Sequence, residues 1–356
     1  MKPYEIVSHI IDQTIAEQLA TDDYMLLYFP DYIRYDHALA STDPASEPYM
    51  WLYHKFLTGN YRYHNDWKLQ APYSGAKGKK ISKLNFIDHS WEPVNQSLDN
   101  LFWQDVKAQS VPNVIIHSEH HSKDILDLNI PEVHWFSHAY ICSEIYFKHY
   151  KKLRMVTDYK SRPINYPWIS ANRLLRKHRT DFLELLDLSR GCYSLLNPDP
   201  NGLTYNGSVQ ARSFDDHSNS SAELKVDDLT PWNTSFLHIV NETIWQDKIH
   251  FTEKIFKPIV MHQPFVVLQA PGSLSYLRSY GFKTFGDWWD ESYDTIEDPQ
   301  QRMKAIANIV NTIGHQNLYQ LRDEMAGVLE HNFRHFYENI PAICLNELSV
   351  GISLIP

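Results

Sequence analysis

The chain is poor in cysteine, has no long apolar run, and lacks the common nucleotide-binding signatures. It holds three cysteines in 356 residues, Cys142, Cys192 and Cys344, and none forms a C-x-x-C pair. That excludes a disulfide framework or a zinc ribbon as the organising device and points to a reducing setting, read here as cytoplasmic, or host cytoplasm for a viral protein. No stretch of about 18 apolar residues occurs, so no membrane anchor is expected. The opening MKPYEIVSHIIDQ lacks the apolar core of a secretory leader. The sequons at Asn95, Asn206, Asn219, Asn233 and Asn241 are therefore expected to stay unmodified. There is no G-x-x-x-x-G-K-[ST] and no G-x-G-x-x-G, which disfavours P-loop NTPases and NAD enzymes. No Asp-x-Asp triplet is present to hold Mg²⁺ or Mn²⁺ on a diphosphate. A net charge of −10 argues against whole-molecule attraction to nucleic acid or anionic membrane, though not against a local basic groove.

What is present suits two globular domains. Hydrophobic residues make up 43% of the chain, and 10 Trp, 22 Tyr and 16 Phe offer both core material and sugar-stacking surfaces. Short apolar runs at Tyr24–Pro30, Leu84–Ile87 and Val114–Ile116 read as buried strands. Residues 4–20 and Tyr49–Leu57 read as helices between or before them. Strands interleaved with helices predict a parallel α/β sheet. Ala71–Lys83, with Gly75, Gly78, Lys77, Lys79, Lys80 and Lys83, reads as a flexible basic loop, either solvated or facing acceptor phosphates.

The most informative stretch is Ile249–Gly286. Thr252 can cap a helix carrying Glu253 and Lys254 in its first turn, followed by Ile255, Phe256, Ile259 and Val260 at near-helical spacing. Pro264 is expected to stop that helix, Phe265–Leu268 to form a strand, and Ser273–Tyr280 a second helix ended by Gly281. Free N–H groups and a lysine converging at a helix start suit an anion, although a T-E-K run is also ordinary capping with solvated Lys254 and Lys257.

Two further stretches carry chemistry. Ile115–Asp124 reads as a buried strand that ends in His117, Glu119, His120, His121 and Asp124. Groups beyond the carboxyl end of a parallel strand are where such sheets bind ligands. The histidines also admit a metal reading, but their spacing matches no defined site, so none is assigned. Lys151–Arg179 concentrates Lys151, Lys152, Arg154, Lys160, Arg162, Arg173, Arg176, Lys177 and Arg179 against Asp158 alone. Within it, Ile169–Leu186 reads as a strand, then Asn172-Arg173, then a helix through Arg179. Val133–Tyr150 is aromatic-rich; Trp135, His138, Tyr146 and Tyr150 either line a cleft or pack a helix. Residues 197–228 read as an irregular insertion, Phe236–Thr243 as a strand, and Arg302–Ile313 and Leu318–Phe336 as closing helices.

His250-Phe251-Thr252-Glu253-Lys254 resembles the Tyr-x-Thr-Glu-Lys motif of the α-1,3-fucosyltransferase family, with His250 in the aromatic's place. Val240-Asn241-Glu242-Thr243 stands where that family has Phe-Glu-Asn-Ser. His117-Ser118-Glu119-His120 resembles its Thr-Gly-Glu-Asn, and Asn172-Arg173 through Arg179 its Asn-Arg-x-x-Arg-x-His-Arg. The likeness spans roughly residues 110–290, and the wording of TEKIFKPI and PGSLSYLRSYGFKTF is closer to viral and phage glycosyltransferases.

The resemblance implies a GT-B fold, two Rossmann-like α/β domains facing each other across a cleft. The acceptor-side domain would be residues 1–155 and the donor domain 156–335, with a tail, 336–356, that could return to the first. It implies an inverting, metal-independent sugar transfer from a nucleoside-diphosphate sugar, with no further cofactor. Glu119 would be the general base, and Arg179 and Lys254 would hold the diphosphate. Asn172, Arg173, Glu242, His250, Thr252, Glu253 and Lys257 would complete the donor site. The acceptor is a glycan or, as the phage-like wording suggests, a hydroxymethylated base in DNA. A sugar-binding module without catalysis is the reading from another class.

Overall fold

The computed structural model describes residues 158–213, 228–246, 248–343 and 346–347, together with Tyr146 and the backbone of four earlier strands. Those strands, β1 (Tyr24–Phe29), β2 (Lys83–Asp88), β3 (Asn113–His117) and β4 (Glu132–His134), form one parallel sheet in chain order, β1-β2-β3-β4. The chain separates into two compact units, residues 1–141 with 341–356, and residues 142–340. Glu119, residues 71–82 of the expected basic loop, the expected helices at 4–20 and 49–57, residues 214–227, and Trp135, His138 and Tyr150 lie outside the described residues, while Lys83, expected in that loop, opens β2.

The second unit holds another parallel sheet: β5 (Tyr166–Ser170), β6 (Cys192–Tyr193), β7 (Ser235–Asn241) and β8 (Phe265–Leu268), in the order β6-β5-β7-β8. From β5 the chain moves outward to β6, then returns past β5 to lay down β7 and β8. The winding direction thus reverses between β5 and β7. Parallel strands covered on both faces read as nearly unbroken apolar runs. SFLHIVN of β7 and FVVL of β8 are buried at every position.

Local signals set the helices around this sheet. Helix α1 (Lys177–Leu183) follows β5, and a short α2 (Thr230–Asn233) precedes β7. After β7, Thr252 opens a 3₁₀ turn, Glu253–Ile255, that runs into α3 (Phe256–Val260). The helix ends at Val260, before Pro264, where His262 takes a left-handed φ of 49°. Helix α4 (Ser273–Ser279) is stopped by Gly281 at φ 91°, whose N–H returns to the Arg278 carbonyl at 2.9 Å. A side chain there is barred twice, by that φ and by His335, whose Cε1 would lie 2.7 Å from an added Cβ.

Helix α5 (Pro299–Ile313) starts three residues ahead of the expected Arg302: Asp298 accepts the Gln301 N–H at 2.7 Å, and proline fills the first position. Its Met303, Ile306, Ala307, Val310 and Ile313 recur at helical spacing and are buried. The single helix expected over 318–336 is two, α6 (Leu318–Glu324) and α7 (Ala326–Glu338), which meet at Met325. Met325 is fully buried, so packing at the break overrides a sequence that reads as continuous helix. Phe256 of α3 packs on Phe336 of α7 at 4.7 Å, and Phe265 of β8 sits edge-on to Phe285 at 5.1 Å. Each such ring buried contributes roughly 1.5–3 kcal/mol.

Candidate functional site

In open parallel sheets, ligands bind beyond the carboxyl ends of the strands, where the winding direction reverses. Here that point lies between the ends of β5 and β7, and it gathers most of the residues singled out from sequence.

A buried polar staple ties the strand ends together. The Asn241 amide donates to Ser170 Oγ and to Asn172 Oδ1, each at 2.8 Å. The Asn172 amide donates to Ser170 Oγ at 2.9 Å, and its backbone N–H donates to Ser194 Oγ, just past β6, at 2.9 Å. Asn172 is fully buried, so it fixes strand ends rather than presenting a face to solvent. A buried amide left without partners costs about 1–3 kcal/mol, so the network holds a single arrangement.

Arg179 reaches across from α1. Its Nη2 donates to the carbonyls of Asn241 at 3.0 Å and Glu242 at 3.4 Å, and its Nη1 to that of Leu174 at 3.3 Å. Beside it, His178 Nε2 lies 3.2 Å from the Glu242 carbonyl oxygen. Burial and the cation of Arg179 push the His178 pKa down to about 3, so the ring is neutral at physiological pH and donates to that carbonyl. His178 stacks on Trp245, which Arg302 of α5 covers at 4.4 Å while donating to its carbonyl at 3.1 Å. The α5 helix thereby pins the loop that follows β7.

The centre of the site is Glu242, fully buried. One carboxylate oxygen accepts the Thr252 N–H at 3.1 Å and the other the Thr252 hydroxyl at 2.6 Å. Lys254 Nζ donates to Thr252 Oγ1 and to Glu253 Oε1, both at 2.9 Å. Burial raises the Glu242 pKa to about 7, against the opposing pull of Lys254 and the two Thr252 bonds. Burial would lower the Lys254 pKa, but Glu253 and Glu242 outweigh it, so the ammonium is held above its usual value despite Arg179. Burial likewise raises Glu253, but Lys254 outweighs it and keeps that carboxyl below its usual range. With Glu242 ionised, two carboxylates balance Lys254 and Arg179; with Glu242 protonated, the cluster carries one net positive charge.

The anion-seeking turn expected at Thr252 is thus partly filled from within the chain, because Glu242 already takes the Thr252 N–H. Two further cations, Arg173 and Arg176, follow β5 and are half-buried. Their Nε atoms have no hydrogen-bond partner among the described residues. Arg176 was not singled out from sequence as a site residue, nor were Ser170, His178, Asn241 and Trp245. Three of them had a readable signal: Asn241 adjoins Glu242 in the quoted motif, and Arg176 and His178 match the arginine and histidine of Asn-Arg-x-x-Arg-x-His-Arg.

His250 is buried ahead of the turn, and its carbonyl accepts from Gln269 at 2.6 Å. Lys257 is not brought to the cluster. Its ammonium lies 4.2 Å from the Trp232 ring centre and 5.9 Å from that of Tyr146. Trp232 precedes β7, so Lys257 points toward the opposite end of the sheet from Glu242. Tyr146 is fully buried against this region, with its hydroxyl 3.5 Å from the Glu253 carbonyl. It is core material rather than a cleft wall.

Among the described residues no group of three metal-ligating side chains converges, and no helix is long and apolar enough to cross a membrane. Neither a protein-family model nor a curated protein matches the chain. One solved structure is similar, that of the DNA modifying enzyme beta-glucosyltransferase, studied with and without its substrate uridine diphosphoglucose. The identity is 8%, over 76% of this chain and 74% of that one, with a TM-score of 0.38. A likeness that distant carries no argument about this chain.

Proposed function

We propose that the chain is an inverting glycosyltransferase of GT-B type that moves a sugar from a nucleoside-diphosphate sugar to an acceptor hydroxyl. The observation that carries the reading is the placement of Arg179, Lys254, Thr252 and Glu242 together at the switch point of the second sheet. These are the residues on which the resemblance to fucosyltransferases rests. Arginine and lysine suit a diphosphate, since a guanidinium fork can bind two phosphate oxygens and an ammonium adds a compact charge, although Arg179 already uses Nη1 and Nη2 on the carbonyls of Leu174, Asn241 and Glu242. Arg173 and Arg176 supply further cations, the Nε of each without a hydrogen-bond partner among the described residues. Such fixed charge stabilises the leaving diphosphate without a metal.

Glu119 is the proposed base, taking the acceptor proton as the hydroxyl attacks the anomeric carbon opposite the leaving group. The acceptor is a glycan or a hydroxymethylated DNA base, and the basic run Lys151–Arg179 suits the latter.

The test is a panel of nucleotide sugars scored by thermal stabilisation, followed by transfer assays with both acceptor classes. A nucleotide sugar should raise the melting temperature, and Glu119→Gln should keep that rise while slowing turnover by about 10²–10⁴-fold. The acid-side fall in the wild-type rate should vanish in the variant. The proposal fails if no nucleotide sugar stabilises the protein. If stabilisation occurs without transfer to either acceptor, the chain is a sugar-nucleotide binder and not an enzyme.

A further inference from the structure

The segment that follows β6 reads from sequence as an irregular insertion, yet its first part is tied down. Leu195 forms an antiparallel bridge with Arg212. The Asn197 side chain donates to the Tyr205 carbonyl at 2.7 Å and accepts the Tyr205 N–H at 3.0 Å. The Tyr205 hydroxyl donates to Glu184, at the far end of α1. Inside this loop Asp199 closes a turn: its N–H donates to the Leu203 carbonyl at 2.9 Å, and its carbonyl accepts the Gly202 N–H at 2.8 Å.

Asp199 is 5% exposed, and its carboxylate faces two ways. Oδ1 accepts the N–H groups of Asn201 and Leu203, each at 2.9 Å, which secures the turn. Oδ2 leaves the turn and accepts the Leu175 N–H at 3.0 Å. Leu175 lies between Arg173 and Arg176, in the stretch that joins β5 to α1.

That stretch carries the two half-buried arginines and is held from outside. Helix α1 starts after Arg176 with no side-chain cap. Ser194 Oγ takes the Asn172 N–H at 2.9 Å, Arg179 donates to the Leu174 carbonyl at 3.3 Å, and Asp199 takes the Leu175 N–H. Ser194 and Asp199 both belong to the segment after β6. A carboxylate that accepts an N–H makes a charge-assisted bond, and here its other oxygen is already fixed, so the anchor is stiff.

Electrostatics make the placement informative. An acid close to an anion site lowers the positive potential there. Among the described residues the Asp199 carboxylate accepts only backbone N–H groups, so it orients the arginine stretch without occupying a guanidinium. We propose that Asp199 is a positioning residue for the donor site. It fixes the backbone between Arg173 and Arg176, so that both guanidinium groups meet the leaving diphosphate in one arrangement. The inference rests on the glycosyltransferase reading above. Cations ordered in advance bind more tightly and stabilise charge better than cations that must be ordered on binding.

The test measures calorimetric affinity of the full chain for UDP and GDP, well below the melting temperature, in wild type and Asp199→Asn. The amide oxygen keeps the two turn N–H groups and leaves the amide NH₂ facing the Leu175 N–H, donor against donor. The Leu175 amide should then exchange faster with deuterium, while those of Asn201 and Leu203 keep their protection. Affinity for the nucleotide that binds should fall about tenfold, the scale of one charge-assisted bond. Loss of a negative charge alone would tighten anion binding, and a purely structural role would lower the melting temperature with affinity unchanged. In the Arg173→Gln/Arg176→Gln background, Asp199→Asn should add little, because it acts through those arginines. Should Asp199→Asn fail to fold, Asp199→Ser keeps a hydroxyl for the turn but is too short to reach Leu175, and the same loss is expected. If neither nucleotide binds the wild type, the glycosyltransferase reading fails and this inference falls with it. If the wild type binds, but the Asp199 variant binds as well or better, or its loss is undiminished without the two arginines, the reading stands and the inference alone is overturned.

Discussion

Thr252 holds both oxygens of the Glu242 carboxylate, through its hydroxyl at 2.6 Å and its own N–H at 3.1 Å. A ten-residue loop is thereby closed on a fully buried acid at the end of the central strand. The same hydroxyl accepts from Lys254, so the protonation of Glu242 and the position of the ammonium are linked through one oxygen. The first three predictions concern this linkage and the cations around it.

Glu242 should impose a pH slope on stability. Its pKa is about 7 when folded and 4.5 by reference, so the folded state binds the extra proton between those values. Stability is fully present below about pH 4.5 and declines as pH rises through about 7, by at most on the order of 3 kcal/mol. Urea titrations between pH 4.5 and 8 should show this decline in the wild type and a flatter profile in Glu242→Gln. Equal slopes in both would place the proton elsewhere.

Binding of a nucleoside diphosphate near pH 7 should take up protons. An arriving diphosphate favours the protonated form of Glu242, because only then does the cluster carry net positive charge. Calorimetry in two buffers of different ionisation enthalpy should give a positive proton uptake, below one per site, that vanishes in Glu242→Gln. Identical heats in both buffers would contradict this.

Arg173→Gln and Arg176→Gln should leave stability within about 0.5–1 kcal/mol, since both side chains are half-buried and the Nε of each has no hydrogen-bond partner among the described residues. Each should weaken donor affinity roughly tenfold, with a shallower dependence on salt, through the loss of a charge-assisted contact. Lys254→Met should weaken it at least as much, and should also raise the pKa of Glu242 by removing its main opposing charge. Unchanged affinity in all three variants would remove the diphosphate from this site.

Gly281→Ala should destabilise the second unit by about 1–3 kcal/mol without altering donor affinity. The strain comes from φ 91° and from the 2.7 Å approach of an added Cβ to His335. A melting curve indistinguishable from wild type would show that the helix end can rearrange at no cost.

The sequence by itself determined the local elements of the second unit. Strand and helix periods differ, caps and stops have their own residue types, and a buried parallel strand is apolar throughout. These signals located β7, β8, α4 and α5 to within a few residues. The break at Met325 escaped because its cause is packing between elements distant in sequence. The tertiary structure alone decided which polar residues meet. Sheet order placed the ends of β5 and β7 side by side, bringing Asn172, Arg179 and Glu242 together across more than sixty residues of chain. It turned Lys257 toward Trp232 although only three positions separate it from Lys254. It also paired Arg162 with Arg322, a relationship no spacing announces. Period and capping act within a few residues of chain. The pairing of charges depends on the order in which strands are laid beside one another, and that order is written in long-range packing rather than in any local pattern.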